Sequence, residues 1–272
     1  MRVAFQGERG AYSEEAIIQH FGQSAEPVPR PYLKDVFDSV ESRNTDLGLI
    51  PVENTLEGSI VQTYDLLNER SLKARHEIVL KVVHCVIANH GVSLEEVKRV
   101  YSHPQALGQC RRYLEKNGFE PVAAYDTAGS VKMLKENGLR DSAAIASSRA
   151  AEVYDMVVLA HGIETHKENY TRFLLIGSDD HPPTSKDKTS ISFIVDHKPG
   201  TLYKALKAFA ENGINLTKIE SRPQVGKPWE YTFFIDLEGH RSEEKMRHAL
   251  DKLQSNSHSV KILGSYPQAM KR

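Results

Sequence analysis

Two rhythms of apolar and polar positions divide the chain. Through the first two thirds, short apolar runs such as "RVAF" (residues 2–5), "DLGLIPV" (46–52), "KRVYS" (98–102), "EPVAAY" (120–125) and "SAAIA" (142–146) recur. Each is followed by a stretch in which apolar residues return every three or four positions. The first spacing makes a strand and the second a helix with one apolar stripe, so the alternation predicts α/β layers on a largely parallel sheet. Helices are expected after Ser13, which reads as an N-cap followed by acidic residues, and over about 60–67, 104–118, 127–138 and 147–156. Residues 73–88, "KARHEIVLKVVHCVIA", are too long for one ordinary strand. They predict a strand that leaves one lobe and enters another, and two lobes joined in this way enclose a cleft suited to a small ligand.

Residues 177–188, "GSDDHPPTSKDK", hold two adjacent prolines and no aliphatic side chain, and read as a linker. Beyond it the order changes to strand (189–196), helix (200–213), strand (214–221), strand (230–239), helix (242–254) and strand (259–266). That β-α-β-β-α-β order is the ferredoxin-like plan, which by itself decides no function.

Charge narrows the picture. The 272 residues carry 35 basic and 36 acidic side chains, a balance that argues against a nucleic-acid surface. Cys85 and Cys110 lack metal-ligand spacing and read as small buried apolar residues in a reducing compartment. The opening "MRVAFQG" reads as a strand rather than a secretory leader, and no apolar run is long enough to span a membrane. A soluble, cytoplasmic protein is expected.

Candidate chemistry gathers where strands give way to helices. "GERGAYS" (7–13) is either an anion-accepting turn before a helix or simply a tight turn. In "PVENTLEGS" (51–59), Glu53, Asn54 and Thr55 lie at a strand's C-terminal end, where open α/β sheets place ligands; satisfying turn backbone is the plainer reading. In "YSHPQALGQC" (101–110), Pro104 fits the first helical position, which sets Ser102 and His103 at the helix start and Gln105 and Gln109 on one face. A capping role is expected for His103. "DTAGS" (126–130) offers Thr127 and Ser130 as anion ligands or as caps. "HGIETH" (161–166) lacks the HExxH spacing, and neither GxSxG nor a P-loop occurs, so zinc and nucleotide chemistry find no support. "NYTRF" (169–173) sets Thr171, Arg172 and Phe173 at the mouth of an apolar strand. Neighbours on a strand face opposite ways. Either the extended backbone begins only at Phe173, or one of Thr171 and Arg172 is structural, the arginine in an ion pair or the threonine as a loop hydroxyl.

Taken together and in this order, the motifs span the whole chain and resemble prephenate dehydratase. The resemblance implies an α/β, two-lobed, periplasmic-binding-protein-like (type II) catalytic domain at 1–180, plus an α+β ferredoxin-like ACT regulatory domain at 188–272. One lobe would take roughly 1–80 with 168–180 and the other 81–167. It implies decarboxylating dehydration of prephenate to phenylpyruvate in phenylalanine biosynthesis, with no cofactor and no metal. Thr171 would assist hydroxide departure, Arg172 would grip a carboxylate, and Asn54, Ser102, Gln105 and Gln109 would fix the remaining oxygens. Glu53, Thr55, Ser13, Thr127, Ser130 and Phe173 would complete the site. "ESRP", from Glu220 through Ser221 and Arg222 to Pro223, stands at the family's phenylalanine-sensing motif, with Gly200, Thr201 and Leu202 as its companions. Thr201 and Tyr203 depart from the family's Gly-Ala-Leu-Val, which leaves effector affinity and identity open. The expected partners are prephenate, phenylalanine and further copies of the chain joined through ACT domains as a homodimer or homotetramer, with no nucleic acid and no membrane. Because the chain starts at the catalytic domain, a monofunctional enzyme is expected. The alternatives are arogenate, the aminated analogue, as substrate, or a binding protein that senses a ligand without catalysis.

Overall fold

Strand β1 (Arg2–Gln6) is followed by α1 (Tyr12–Phe21), β2 (Glu26–Arg30), α2 (Leu33–Glu41), β3 (Leu47–Asn54), the short β4 (Gly58–Ser59), α3 (Val61–Glu69) and β5 (Lys73–Lys81). The structure, a computed structural model, describes residues 1–224 and 226–269, with Pro228 described by its backbone alone. A second run comprises β6 (Cys85–Ala88), β7 (Arg99–Ser102), α4 (Pro104–Gln109), α5 (Arg111–Asn117), β8 (Glu120–Ala123), α6 (Thr127–Glu136), β9 (Ser142–Ala146), α7 (Ser148–Val153) and β10 (Val157–His161). Strand β11 (Tyr170–Gly177) then joins the first sheet, whose order is β2-β1-β3-β11-β5 with β4 beside β3. The second sheet has the order β10-β6-β9-β7-β8. Residues 73–88 divide between the two sheets, as their length predicts.

Burial explains the elements. In α2, Leu33, Val36, Phe37 and Val40 are buried, an i, i+3, i+4, i+7 stripe against the sheet. All five residues of β9 are buried, as a strand between two neighbours and covered on both faces requires, and its small side chains suit that crowding. Four elements have no counterpart in the sequence reading: β2, α2, the short β4 and β10. Strand β2 reads "EPVPR", and its prolines conceal it; they are accommodated because β2 is an edge strand with one unpaired side. Helix α1 starts at Tyr12 with Ala11 at its N-cap, so Ser13 lies inside the first turn and caps nothing. The Gly10 amide there donates instead to the buried Glu14 carboxylate at 2.9 Å.

The remaining elements are β12 (Asp187–Ile194), α8 (Thr201–Ala210), β13 (Leu216–Gln224), β14 (Lys227–Glu238), α9 (Glu244–Ser255) and β15 (Ser259–Pro267), with sheet order β13-β14-β12-β15. By internal contacts the chain forms two compact units, Met1–Ile60 with Ile78–Phe173, and Val61–Glu77 with Leu174–Arg272. In the second unit, Ile191 and Phe193 of β12 pack in a core with Ala205, Phe209, Met246 and Leu253. The alternate residues of β12 meet polar partners: Ser192 Oγ donates to Asn68 Oδ1 at 2.6 Å, and Lys188 Nζ lies 2.8 Å from Glu77 Oε1. Strand β12 is thus covered on both faces, once by its helices and once by α3 and the start of β5. Among the described residues, no helix is long and apolar enough to cross a membrane.

Candidate functional site

The last residue of β3 lies beside the start of β11, and the strand period sorts their side chains onto two faces. On one face the Asn54 amide nitrogen donates to Asn169 Oδ1 at 2.8 Å, to the Tyr170 carbonyl at 3.2 Å and to Thr171 Oγ1 at 3.1 Å. Its oxygen accepts the backbone amides of Leu56 at 2.9 Å and Glu57 at 3.1 Å. Asn54 is 7% exposed, and its amide is fully occupied within the protein. The Thr171 oxygen therefore receives a hydrogen bond, while its own hydrogen meets no acceptor among the described residues.

On the other face, Arg172 Nη1 lies 3.6 Å from Glu53 Oε2. Strand β11 is already extended at Tyr170, so Thr171 and Arg172 point apart: the threonine lines a cavity and the arginine is held in an ion pair. The ion pair expected of Arg172 on its plainer reading is present. Thr55 serves the backbone, its amide donating to the Tyr170 carbonyl and its hydroxyl bonding both the Glu168 carbonyl and the Tyr170 amide. Phe173 is 2% exposed and belongs to the core rather than to the site.

The second sheet supplies the opposite wall. Gln105, Ala106 and Gln109 of α4 reach the cavity, as the four-residue spacing predicts. His103 also lines it, and its Nδ1 caps α4 by accepting from the Gln105 amide at 3.3 Å. Ser102 does not converge with them. It is 0% exposed, and its hydroxyl donates to the Ile145 carbonyl of β9 at 2.6 Å. Thr127 reaches the cavity, whereas Ser130 is buried and donates to the Asp126 carbonyl at 2.7 Å. Asp126 caps α6 through the Gly129 amide at 2.7 Å, and burial raises its pKa. Ser13 is not among the lining residues. In "GERGAYS", Gly10 has φ +84°, and an added Cβ would stand 2.6 Å from Ala150 Cα. This glycine lets the turn lie against α7.

Two segments cross between the sheets, and sequence reasoning missed what they carry. The His84 amide donates to Glu164 Oε2 at 3.0 Å, and the Val82 amide donates to the Asn169 carbonyl at 2.8 Å. The His84 ring has Tyr12 Oη 2.7 Å from Nδ1 and Gln109 Oε1 2.8 Å from Nε2. Asn169 Nδ2 donates to the same Gln109 oxygen at 2.9 Å. A continuous row results: Tyr12, His84, Gln109, Asn169, Asn54, Thr171. Burial lowers the His84 pKa against the opposing pull of the Gln109 hydrogen bond and the Glu164 carboxylate, so the ring is held neutral near pH 7. Burial likewise lifts the Tyr12 hydroxyl well above its usual range and the Cys85 thiol to about 11, so both stay protonated. One signal for His84 was available: an imidazole inside the apolar run "KVVHCVIA" must find partners or incur a large desolvation cost.

The cavity holds about 260 Å³. Its polar lining is hydroxyl, amide, imidazole and the one carboxyl of Asp126, beside the apolar Val82 and Ala106. Such a wall offers oriented neutral donors to an oxygen-rich small molecule. Among the described residues, no cluster of three or more histidines, cysteines or carboxylates could hold a metal ion.

The second unit has a cavity of its own, about 350 Å³. Thr201, Leu202, Tyr231 and Phe233 line it. Gly200 caps α8 at φ +84°, and the Thr201 hydroxyl donates to the Asp196 and Lys198 carbonyls at 2.6 and 2.9 Å. Glu220, Ser221, Arg222 and Pro223 lie on β13 and do not line this cavity; Arg222 pairs instead with Asp65 of α3 at 3.3 Å.

Comparison with known proteins places these features. The family description "Prephenate dehydratase" matches residues 3–181, and "ACT domain" matches residues 189–254. A bifunctional chorismate mutase/prephenate dehydratase of Aquifex aeolicus is 43% identical over 273 residues, covering 99% of this chain and 74% of that protein. The solved structure of GqqA, described as a novel type of quorum quenching acylase, superposes with a TM-score of 0.92 at 33% identity, covering 99% of this chain and 98% of that one. The prephenate dehydratase of Arthrobacter aurescens, solved in complex with L-Phe, superposes with a TM-score of 0.90 at 30% identity, covering 98% and 90%.

Proposed function

The chain belongs to the prephenate dehydratase family, and on that premise we propose that it expels water and carbon dioxide together from prephenate to leave phenylpyruvate. Aromatisation drives the reaction, so the protein's work is to orient the substrate and to help hydroxide depart. Hydroxide leaves slowly unless it is protonated as the bond breaks, and a placed acid typically gains about 10²- to 10⁴-fold. Thr171 is that donor. The observation that carries this reading is the Asn54 amide donating to Thr171 Oγ1, which polarises the hydroxyl and leaves its hydrogen for the cavity. Gln109, Gln105 and Thr127 hold substrate oxygens. Val82 and Ala106 give the departing carboxylate an apolar side, where loss of charge as carbon dioxide is favoured. Arg172, with Glu53, fixes the strand ends from behind.

The second unit is the regulatory part. L-Phe, with which the Arthrobacter enzyme was solved in complex, binds it and shifts the enzyme toward a less active state, which requires tighter binding to that state. Edge strand β13 carries the half-exposed Ile219 and joins a second copy, giving a dimer or tetramer. The enzyme works in the cytoplasm.

Incubation of purified protein with prephenate, followed by detection of phenylpyruvate, tests the proposal. Arogenate run in parallel should react more slowly; faster turnover of arogenate would reassign the substrate. Binding of prephenate without turnover would leave a sensing protein instead.

A further inference from the structure

The direction of the hydrogen bonds from Asn54 through Asn169 and Gln109 to His84 Nε2 follows from two backbone groups. The amides of Leu56 and Glu57 can only donate, so the Asn54 atom they meet is its oxygen. Asn54 then presents its NH₂ to Asn169 Oδ1, which leaves the Asn169 NH₂ for Gln109. The Gln109 atom that Asn169 meets is therefore the carbonyl oxygen. His84 Nε2, 2.8 Å from that same oxygen, must carry a hydrogen, and Nδ1 of the neutral ring accepts from Tyr12 Oη.

We propose that His84 is a positioning residue of the reaction: with Asn169 it clamps the Gln109 carbonyl between two donors, so that Gln109 offers its NH₂ end to the negatively charged substrate. The proposal rests on the dehydratase reading and adds what orients the substrate's ligand. A single donor would leave the Gln109 side chain free to swing about one bond. Two donors from the two crossing segments, 82–84 and 162–169, fix it from both sides. The only other partner of Gln109 Nε2 among its described hydrogen bonds is Glu57 Oε1 at 3.4 Å, a long and exposed contact. A carbonyl turned toward a dianion would repel it, so the clamp controls capture more than bond breaking.

His84→Leu tests this with little risk to the fold. The Tyr12 hydroxyl already has the Val83 carbonyl 3.2 Å away as an acceptor, and the Gln109 oxygen keeps Asn169. KM for prephenate should rise on the order of tenfold to a hundredfold, the worth of one hydrogen bond to a charged group, with kcat within a few-fold of wild type. Gln109→Ala should raise KM similarly, and the double variant should be no worse than Gln109→Ala alone. His84→Gln, which keeps an N–H donor, should recover part of the loss. An unchanged KM in a folded His84→Leu protein, a fall in kcat alone, or additive effects in the double variant would overturn the proposal. Were the wild type to bind prephenate without turnover, the catalytic reading would fail separately, and the same ratios would be read from Kd by calorimetry. No binding at all by the wild type would defeat both.

Discussion

The two faces of the β3–β11 pair use neighbouring residues for opposite ends. Asn54 and Thr171 face the cavity and exchange a hydrogen bond, whereas Glu53 and Arg172, one step away on each strand, form an ion pair off the cavity lining. A permanent cation beside a hydroxyl looks like one catalytic unit when read along the chain. The pleat separates them, and the proposed reaction places the chemistry on the neutral face. Uncharged groups there carry no repulsion or counter-ion of their own, and their direction is set by partners deeper in the protein.

The largest blow to that contrast should come from Thr171→Ala. We expect kcat to fall about 10²- to 10⁴-fold with little change in KM, measured by steady-state kinetics on protein whose circular dichroism matches wild type. Asn54→Asp should rank next. The aspartate keeps an acceptor for the Leu56 and Glu57 amides but presents an acceptor to Thr171, drawing its hydrogen out of the cavity. Here kcat should drop on the order of a hundredfold on protein that still folds, with a lower melting temperature because Asn169 Oδ1 and the Tyr170 carbonyl lose their donor; a rate near wild type would show that the hydroxyl's direction is unimportant. Across the strands, Arg172→Lys should change kcat/KM less than about tenfold and stability by about 1 kcal/mol or less, read from urea titration. A loss matching that of Thr171→Ala would erase the distinction between the faces.

The smallest effect concerns acid stability. The folded pKa of His84 lies below the ordinary value of 6.5, so the unfolded chain binds the extra proton more readily. The stabilisation tied to the neutral ring is complete above about pH 6.5 and drains away as pH falls through the folded pKa. The melting temperature of the wild type should therefore decline more steeply on acidification than that of His84→Leu. Parallel curves would mean that the ring does not titrate differently on folding.

Period and punctuation disclosed most of the architecture: the division of residues 73–88 between two sheets, the helix face shared by Gln105 and Gln109, and the β-α-β-β-α-β order. Hydroxyl groups were the harder part. Ser102, Ser130 and Thr55 sit in the motifs that carry the family resemblance, yet each is claimed by a backbone group, and in Ser102 the claimant, Ile145, lies 43 positions away. No local pattern announces which carbonyl will stand opposite a strand end. His84 and Asn169 escaped notice for the converse reason, since their importance lies in one another's company and not in any spacing. With β11 starting at Tyr170, the pleat sets Thr171 and Arg172 on opposite faces, and the cavity lining then tells which of them turns inward; neither fact is local to the motif.

Strand β12 has no face turned to water, because the segment made of α3 and the first half of β5 closes over Lys188 and Ser192. Severing the chain at the polar stretch 177–188 would strip away that cover and leave an amine and a row of hydroxyls built for company suddenly solvated. Transplanting the regulatory part onto another enzyme therefore calls for a discontinuous graft, in which a helix from upstream travels together with the downstream sheet.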